Sequence, residues 1–415
     1  MNSFARCVLL ASILAESFLL SSTMVKAGDW PQILGPARNG IAVDERLAAT
    51  WPGNGPKLLW QREVGAGLAG PAVMGERVIL FHRVGDEEVV ECLAAADGAP
   101  QWRTAFPASY AGGYHADNGP RCVPTIAGDR VFLLGAAGDL HCVALTDGKA
   151  LWSRALNEDY KVRDAYFGVG SAPLVVGDRV LVNVGGKAAA GIVALAVSDG
   201  KTLWTATNDE ASYAAPTLVT LGGKARALFV TRMNVVAIAP ENGHVLFQFP
   251  FGRSGPTVNA ATPLVLGDLL FCSASYGVGA VAAQMDANGA KELWRRDDVM
   301  SSQYATCIAK DGLLYGVDGR EDVGVARLRC FNPVDGNVKW TEEGYGVATL
   351  VLAGDKALAL KTSGQLVLFQ PSPQGYEALA ETQLFETTTQ PLPALANGRL
   401  FARDMKVLKC LAVGE

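Results

Sequence analysis

Two glycine-rich stretches and four histidines are the places where this chain could hold a nucleotide or a metal ion. Gly65-Ala-Gly67-Leu-Ala-Gly70 matches GxGxxG, whose chemistry depends on backbone amides at a helix N-terminus meeting a pyrophosphate. Pro71 and a strand-like run follow it, so no helix end is available and the match is incidental. Gly200-Lys201-Thr202 ends like a phosphate-binding loop, but Leu195 stands where the first glycine belongs. His82, His115, His141 and His244 are dispersed, without an HExxH pair, and neither Cys-x-x-Cys-His for haem nor Cys-x-x-Cys for zinc occurs. No metal site is expected.

A third set of residues suits binding rather than bond-making. His115, Asn118, Arg121, Phe167, Tyr213, Asn259, Gln303 and Tyr304 lie in short, polar and aromatic segments that do not repeat, and Tyr276 in Ser275-Tyr276-Gly277 joins them from another loop. Amide, hydroxyl and guanidinium groups mixed with aromatic faces hold a small ligand or a protein partner by hydrogen bonding and stacking. The alternative is that they only satisfy backbone groups at strand starts and fill a channel. Which of the two applies depends on the elements that carry them.

Those elements repeat. Trp102, Trp152, Trp204 and Trp340 each stand four residues after the glycine of an Asp-Gly pair, and Phe247 stands four after Asn242-Gly243. Trp294 lies five after Asn288-Gly289, and Leu379 four after Gln374-Gly375, as degenerate copies. Upstream of the first five in chain order, a small residue and proline precede a β-rich run and a second glycine turn, and later copies lose the proline but keep Asp311-Gly312, Gly354-Asp355 and Asn397-Gly398. Pro71, Pro124, Pro173, Pro216 and Pro263 are separated by 53, 49, 43 and 47 residues, a period that belongs to propeller blades. Each unit reads as a four-stranded meander joined at Asp-Gly by a two-residue turn with both central φ angles positive.

Seven complete units begin near Gly70, Val123, Ala172, Ala215, Thr262, Ala305 and Ala348, and an eighth near Pro391 reaches Glu415 one strand short. Lys57 to Val64, with Trp60, matches the missing outer strand and has no unit before it. Pairing the two closes a ring and removes its exposed edges. The expected fold is therefore all-β: an eight-bladed β-propeller of four-stranded antiparallel blades, closed by an N-terminal strand in the last blade. Trp60, Trp102, Trp152, Trp204, Phe247, Trp294 and Trp340 are then structural wedges between blades, each burying about 150–250 Å² if aromatic. Cys92, Cys142, Cys330 and Cys410 fall on equivalent strands of different blades, beyond the roughly 4.4–6.8 Å Cα separation of a disulfide, and read as small packing residues.

Arg6, the apolar run from Cys7 to Leu20 and Val25-Lys26-Ala27 read as a secretory signal cleaved after Ala27, despite Glu16 within the run. Residues 1–27 are thus expected to be a signal peptide, 28–56 an N-terminal extension and 57–415 one propeller domain, periplasmic or secreted, without a transmembrane segment in the mature chain. With 36 basic residues against 41 acidic ones and no Lys/Arg cluster, the net charge of −5 argues against nucleic acid as a partner. A monomer is expected, since ring closure leaves no strand edge to pair.

The recurrent Asp-Gly-x-x-x-Trp, with small-Pro at the inner strand, resembles the tryptophan-docking repeat of PQQ-like eight-bladed propellers. Trp30-Pro31-Gln-Ile-Leu-Gly35-Pro36-Ala-Arg38-Asn-Gly40 resembles the entry segment of exported PQQ-like repeat proteins. That superfamily includes the outer-membrane assembly lipoprotein and quinoprotein alcohol dehydrogenases. The resemblance implies either a non-catalytic scaffold with an envelope protein partner or small ligand, or a dehydrogenase holding PQQ with Ca²⁺. A polymer- or carbohydrate-processing enzyme using the funnel is a third possibility. Quinoproteins of this fold hold PQQ against a disulfide of adjacent cysteines, and no Cys-Cys pair occurs here. The expectation is therefore a binding or scaffold protein, with PQQ and Ca²⁺ unsupported.

Overall fold

The computed structural model describes residues 28–113, 117–162, 167–255, 257, 259–287 and 289–415. The two middle strands of a unit are apolar on both faces, as in Arg77–Val84 (RVILFHRV) and Glu87–Ala94 (EEVVECLA), whose interiors are buried throughout. The last strand, Pro100–Pro107, is mostly half-buried or exposed. A sheet with this distribution is covered on both faces by neighbouring sheets and turns only its last strand to solvent. The chain forms eight such four-stranded antiparallel sheets, arranged as blades of a propeller.

The first seven blades are built in chain order, from Ala72–Met74 through Pro100–Pro107 in the first to Ala348–Ala353 through Ala378–Gln383 in the seventh. The eighth takes Ala394–Ala396, Arg399–Arg403 and Val407–Ala412 from the C-terminus and Lys57–Glu63 from the N-terminus. Lys57 pairs with Ala412 and Trp60 with Cys410, so the ring closes through a strand contributed by the far end of the chain. One four-residue helix, Leu156–Asp159, interrupts the β-structure.

The registers explain the small residues. Trp102 lies opposite Cys92, Trp152 opposite Cys142, Trp340 opposite Cys330, Trp204 opposite Ala194 and Trp294 opposite Ala282. Cysteine or alanine leaves room on the sheet for an indole, and the seven described cysteines are buried and free. Burial pushes the Cys92 and Cys142 thiols up to about 11, so they stay protonated and serve as packing groups. In the seventh blade the pair is inverted. Leu368 faces Ala380, so Ala380, one residue beyond Leu379, holds the docking position and the large side chain sits on the partner strand.

Each tryptophan spans to the following blade. Its Nε1–H donates to a carbonyl there: Trp60 to Ala95 at 3.0 Å, Trp102 to Leu145 at 3.0 Å, Trp152 to Val197 at 3.0 Å, and Trp340 to Ser372 at 2.7 Å. The indoles of Trp60, Trp102, Trp152 and Trp204 lie on the glycine of the following blade's turn, whereas nothing lies within 4 Å of a Cβ on Gly375 in the blade that Trp340 meets. A Cβ on Gly148 would come 2.3 Å from Trp102 Cε3. The Asp-Gly turns differ from the expected two-residue form. Gly98 has φ +73°, Asp97 is not left-handed, and Ala94 N–H bonds to Ala99 O across a four-residue loop. The reason is the Asp97 carboxylate, which accepts from Ala99 N–H at 2.9 Å and holds its own residue right-handed. Asp147, Asp199, Asn242 and Asp335 repeat the bond. Turns with both φ positive occur instead at the inner hairpins Gly222-Gly223, Asp311-Gly312 and Asn397-Gly398.

Residues 28–48 cross the inner-hairpin end of the ring. Trp30 bridges to Val73, Ile126 N–H bonds to Pro31 O, Ile41 bridges to Leu352 and Leu47 to Gly414. From the middle of this crossing Arg38 extends into the channel and donates to Pro216 O at 2.9 Å, Ala172 O at 3.3 Å and Pro173 O. Burial pulls its guanidinium down to about 9, still charged at neutral pH. A fork of donors suits carbonyls converging from two blades, whose own strand starts leave them without ladder partners.

His141 gives the fold a pH dependence. It is buried, stacks on Phe106 with ring centroids 3.8 Å apart, and shares a 2.8 Å hydrogen bond with Ser153 Oγ, while Nε2 has no hydrogen-bond partner. Burial pulls the imidazole down to about 4 from its ordinary 6.5. The unfolded chain takes up this proton below pH 6.5 and the folded chain does so only near 4, so stability is complete above pH 6.5 and is lost as pH falls towards 4. The expected loss is about 3 kcal/mol at one pKa unit per 1.36 kcal/mol. Urea melts at pH 7 and pH 4 check it. His141→Gln should remove that share of the pH dependence, and an unchanged pH slope would refute the assignment.

Candidate functional site

The segments that carry the chain from an outer strand to the next inner strand start at the rim and end at the axis. Side chains just before each inner strand therefore meet around the channel. Their common space is a cavity of about 660 Å³, and of the nine residues singled out in the sequence it is lined by six: Arg121, Phe167, Tyr213, Tyr276, Gln303 and Tyr304. His115 lies outside the described residues. Asn118 does not line the cavity, and its carbonyl accepts from Arg83 Nη1 at 3.3 Å. Asn259 is buried as a brace. Its Nδ2 donates to Thr231 O at 2.9 Å and Arg232 O at 3.1 Å, and its carbonyl accepts from Tyr213 N–H and Ala214 N–H. Here the alternative of satisfying backbone groups at strand starts applies.

The cavity also takes Arg320, Glu321 and Asp322 from the hairpin between Leu313–Arg320 and Val325–Phe331, and Gln390 from the segment before the eighth blade. Sequence reasoning missed these because it followed only the outer-to-inner connections. A polar run, Arg320-Glu321-Asp322, at the far end of an otherwise apolar strand was the signal available. Tyr276, on the corresponding hairpin of the fifth blade, was found from that kind of sequence. It sits at φ +65°, a left-handed conformation that is costly for a residue with an aromatic side chain.

Three loops are tied into one wall. Glu321 N–H donates to Gln303 Oε1 at 3.0 Å, Gln303 Nε2 donates to Tyr276 Oη at 3.0 Å, and Ser302 bridges to Gly319. Tyr304 Oη donates to Glu321 Oε2 at 2.7 Å, and Gln390 Nε2 donates to the same oxygen at 2.9 Å. Burial and the adjacent Glu321 carboxylate raise the Tyr304 phenol well above its ordinary range, so it remains a donor. Arg320 pairs with Asp322 through both oxygens, and its guanidinium lies 4.2 Å above the Tyr276 ring.

On the other wall, Tyr213 Oη accepts from Phe167 N–H at 3.0 Å and its ring meets Phe167 edge-on at 6.0 Å. Burial pushes this phenol up to about 12, leaving its O–H as a donor facing the channel region. Arg121 is held behind this wall. It donates to Asp117 O at 2.8 Å and to Gly119 O, stands 3.6 Å from Asp117 Oδ1, and covers the Tyr110 ring at 4.8 Å. The arrangement can stack a flat or apolar group and hydrogen-bond its polar edge. No group of three or more His, Cys, Asp or Glu side chains suited to a metal ion occurs among the described residues.

Fold and cavity can be set beside known proteins. A family model described as outer membrane protein assembly factor BamB matches residues 43–165 and 86–342. No curated protein matches the chain by sequence. Among solved structures, BamB from Moraxella catarrhalis is similar with a TM-score of 0.63 at 16% identity, over 85% of this chain and 96% of that one. Quinohemoprotein alcohol dehydrogenase from Comamonas testosteroni gives 0.67 at 12% identity, over 95% of this chain and 82% of that one. Quinohemoprotein alcohol dehydrogenase ADHIIG from Pseudomonas putida HK5 gives 0.64 at 11%, over 94% and 81%. At such identities the likeness of the solved structures is one of fold. The family match spans most of the ring, over the blades that carry the docking tryptophans and turn glycines: the chain belongs to the family of PQQ-like repeat propellers described by the outer membrane protein assembly factor BamB.

Proposed function

We propose that this protein is an exported, non-catalytic binding propeller of the cell envelope whose channel mouth holds a small ligand. The observation that carries the reading is the convergence of polar and aromatic side chains from connections and hairpins around the ring on one cavity of about 660 Å³, within the range of small-molecule sites. The family match to an envelope assembly factor supports the location. No helix among the described residues is long and apolar enough to cross a membrane.

PQQ with Ca²⁺ fits poorly with the residues present. Adjacent cysteines are lacking, and six of the eight tryptophans are engaged between blades through their ring nitrogens. The mouth carboxylates are Glu321, held by Tyr304 and Gln390, and Asp322, held by Arg320. Glycoside hydrolysis, which needs carboxylates on opposite sides of a bond, is poorly served by two neighbours on one hairpin. The test is a thermal-shift panel of amines, sugars, carboxylic acids and dipeptides, run beside PQQ with Ca²⁺. At least one small solute is expected to stabilise the protein, with the shift reduced by Tyr213→Ala. Saturable PQQ binding with alcohol-dependent dye reduction would overturn the reading, as would a panel without any stabilising solute.

A further inference from the structure

Among the described residues, charges at the mouth do not cancel. Arg320 is matched by Asp322 and Arg121 by Asp117, both at ion-pair distance. Glu321 is half-buried in the same cavity, and none of the ion pairs within 4.0 Å among the described residues includes it. Its hydrogen bonds come from two neutral donors, Tyr304 Oη and Gln390 Nε2, both to Oε2. These orient the carboxylate without neutralising it. Phe167, Tyr213 and Tyr304 line the same cavity, and Tyr276 lines it with the Arg320 guanidinium 4.2 Å above its ring.

A carboxylate left with its charge beside several aromatic rings selects a cation. The negative ring faces attract it, and partial removal from water strengthens both terms. The chemistry excludes other occupants. An anion would find both lining guanidinium groups already engaged. A bare Ca²⁺ or Mg²⁺ ion needs about six oxygen ligands, and no group of three or more acidic, His or Cys side chains suited to a metal occurs around Glu321 among the described residues. An organic ammonium ion needs only one carboxylate, because its methyl or methylene groups are satisfied by the rings. The cavity has room for a body attached to that head.

We propose that the channel mouth binds a small organic ammonium ion, with Glu321 as its counter-charge and the rings of Phe167, Tyr213 and Tyr304 around its carbon groups. The assignment rests on the binding reading above and narrows it to one ligand class. It is tested by calorimetric titration of the purified protein with choline and with 3,3-dimethylbutan-1-ol, which has the same shape and no charge. Choline is expected to bind at one site, and the alcohol at least tenfold more weakly. Glu321→Gln keeps the size and the acceptor for Tyr304 and should weaken choline at least tenfold while leaving the alcohol unchanged. Phe167→Leu, which removes a ring but no charge, should weaken choline by a smaller factor and provides a second variant if the first folds poorly. Equal affinity for choline and the alcohol, or an unchanged affinity in Glu321→Gln, overturns the proposal. If sugars or carboxylic acids of the panel bind and ammonium ions do not, the cation assignment fails and the binding reading stands. If no solute binds, both fall.

Discussion

A chain lacking residues 28–63 is expected to self-associate and to lose its single cooperative melt, whereas one lacking only 28–48 should stay monodisperse and melt at a lower temperature. The longer deletion removes the strand Lys57–Glu63 and leaves Val407–Ala412 as a free edge. Such an edge presents unpaired N–H and C=O groups to any other strand, including the same edge of a second molecule. It also strips Trp60 from its site over Ala95 and Gly98, opening the first blade's face to water. The shorter deletion keeps the closing strand and removes Arg38 and Trp30, so three channel carbonyls lose their donor and a buried indole is lost, without a new edge. Size-exclusion chromatography and differential scanning calorimetry separate the two outcomes. A monomeric 28–63 deletion with an unchanged single transition would show that closure is not what holds the ring.

The second large effect concerns the wedges. Trp102→Ala is expected to cost about 2–3 kcal/mol, below the range for emptying a fully buried aromatic site because Trp102 is half-buried, with the hydrogen bond to Leu145 O lost as well. The same contact can be attacked from the other side. Gly148→Ala puts a Cβ 2.3 Å from Trp102 Cε3 at a residue with φ +72°. Gly128 supplies the control, since its φ is +61° but nothing lies within 4 Å of a Cβ there. Gly128→Ala should therefore show backbone strain alone, about 1–2 kcal/mol, and Gly148→Ala distinctly more. In a Trp102→Ala background most of the extra cost of Gly148→Ala should go, leaving the contact of the new Cβ with Thr104 Oγ1 at 2.9 Å, because contacting residues couple and distant ones add. Denaturant melts of the four variants decide it. Simple additivity of Trp102→Ala and Gly148→Ala would mean that the indole does not rest on the turn.

Why the docking unit was legible in the sequence follows from these contacts. The turn must supply a carboxylate or amide to hold its first residue, as Asp97 does for Ala99, and a glycine to take the left-handed φ and admit the indole. Two demands on adjacent residues leave a pattern that recurs in five of the blades. The turn's own form was misread. A two-residue hairpin with both φ positive also favours Asp-Gly, and only the hydrogen bond from Ala99 N–H to Asp97 separates the two. The degenerate seventh blade was misplaced by one residue for a related reason. A leucine on either strand can fill the layer, and the register, with Leu368 opposite Ala380, assigned it to the partner strand.

For the site, the residues legible in sequence were those on connections that the repeat itself locates: Arg121, Phe167, Tyr213, Gln303 and Tyr304. Asn259 belongs to the same class of position, yet its amide turns back to Thr231 O and Arg232 O, since a carboxamide at a strand start finds unpaired carbonyls nearer than the cavity. Glu321 and Gln390 come together from positions 69 residues apart on one oxygen, a meeting no local pattern records. By itself the sequence determined the blade, its number and the closure of the ring, because each is a local rule repeated along the chain. Only the tertiary structure decided which side chains share the channel, that Arg38 reaches into it beneath two inner strands, and that Glu321 has no cation within ion-pair distance among the described residues, because those depend on distances across the ring that the spacing of residues along one strand does not encode.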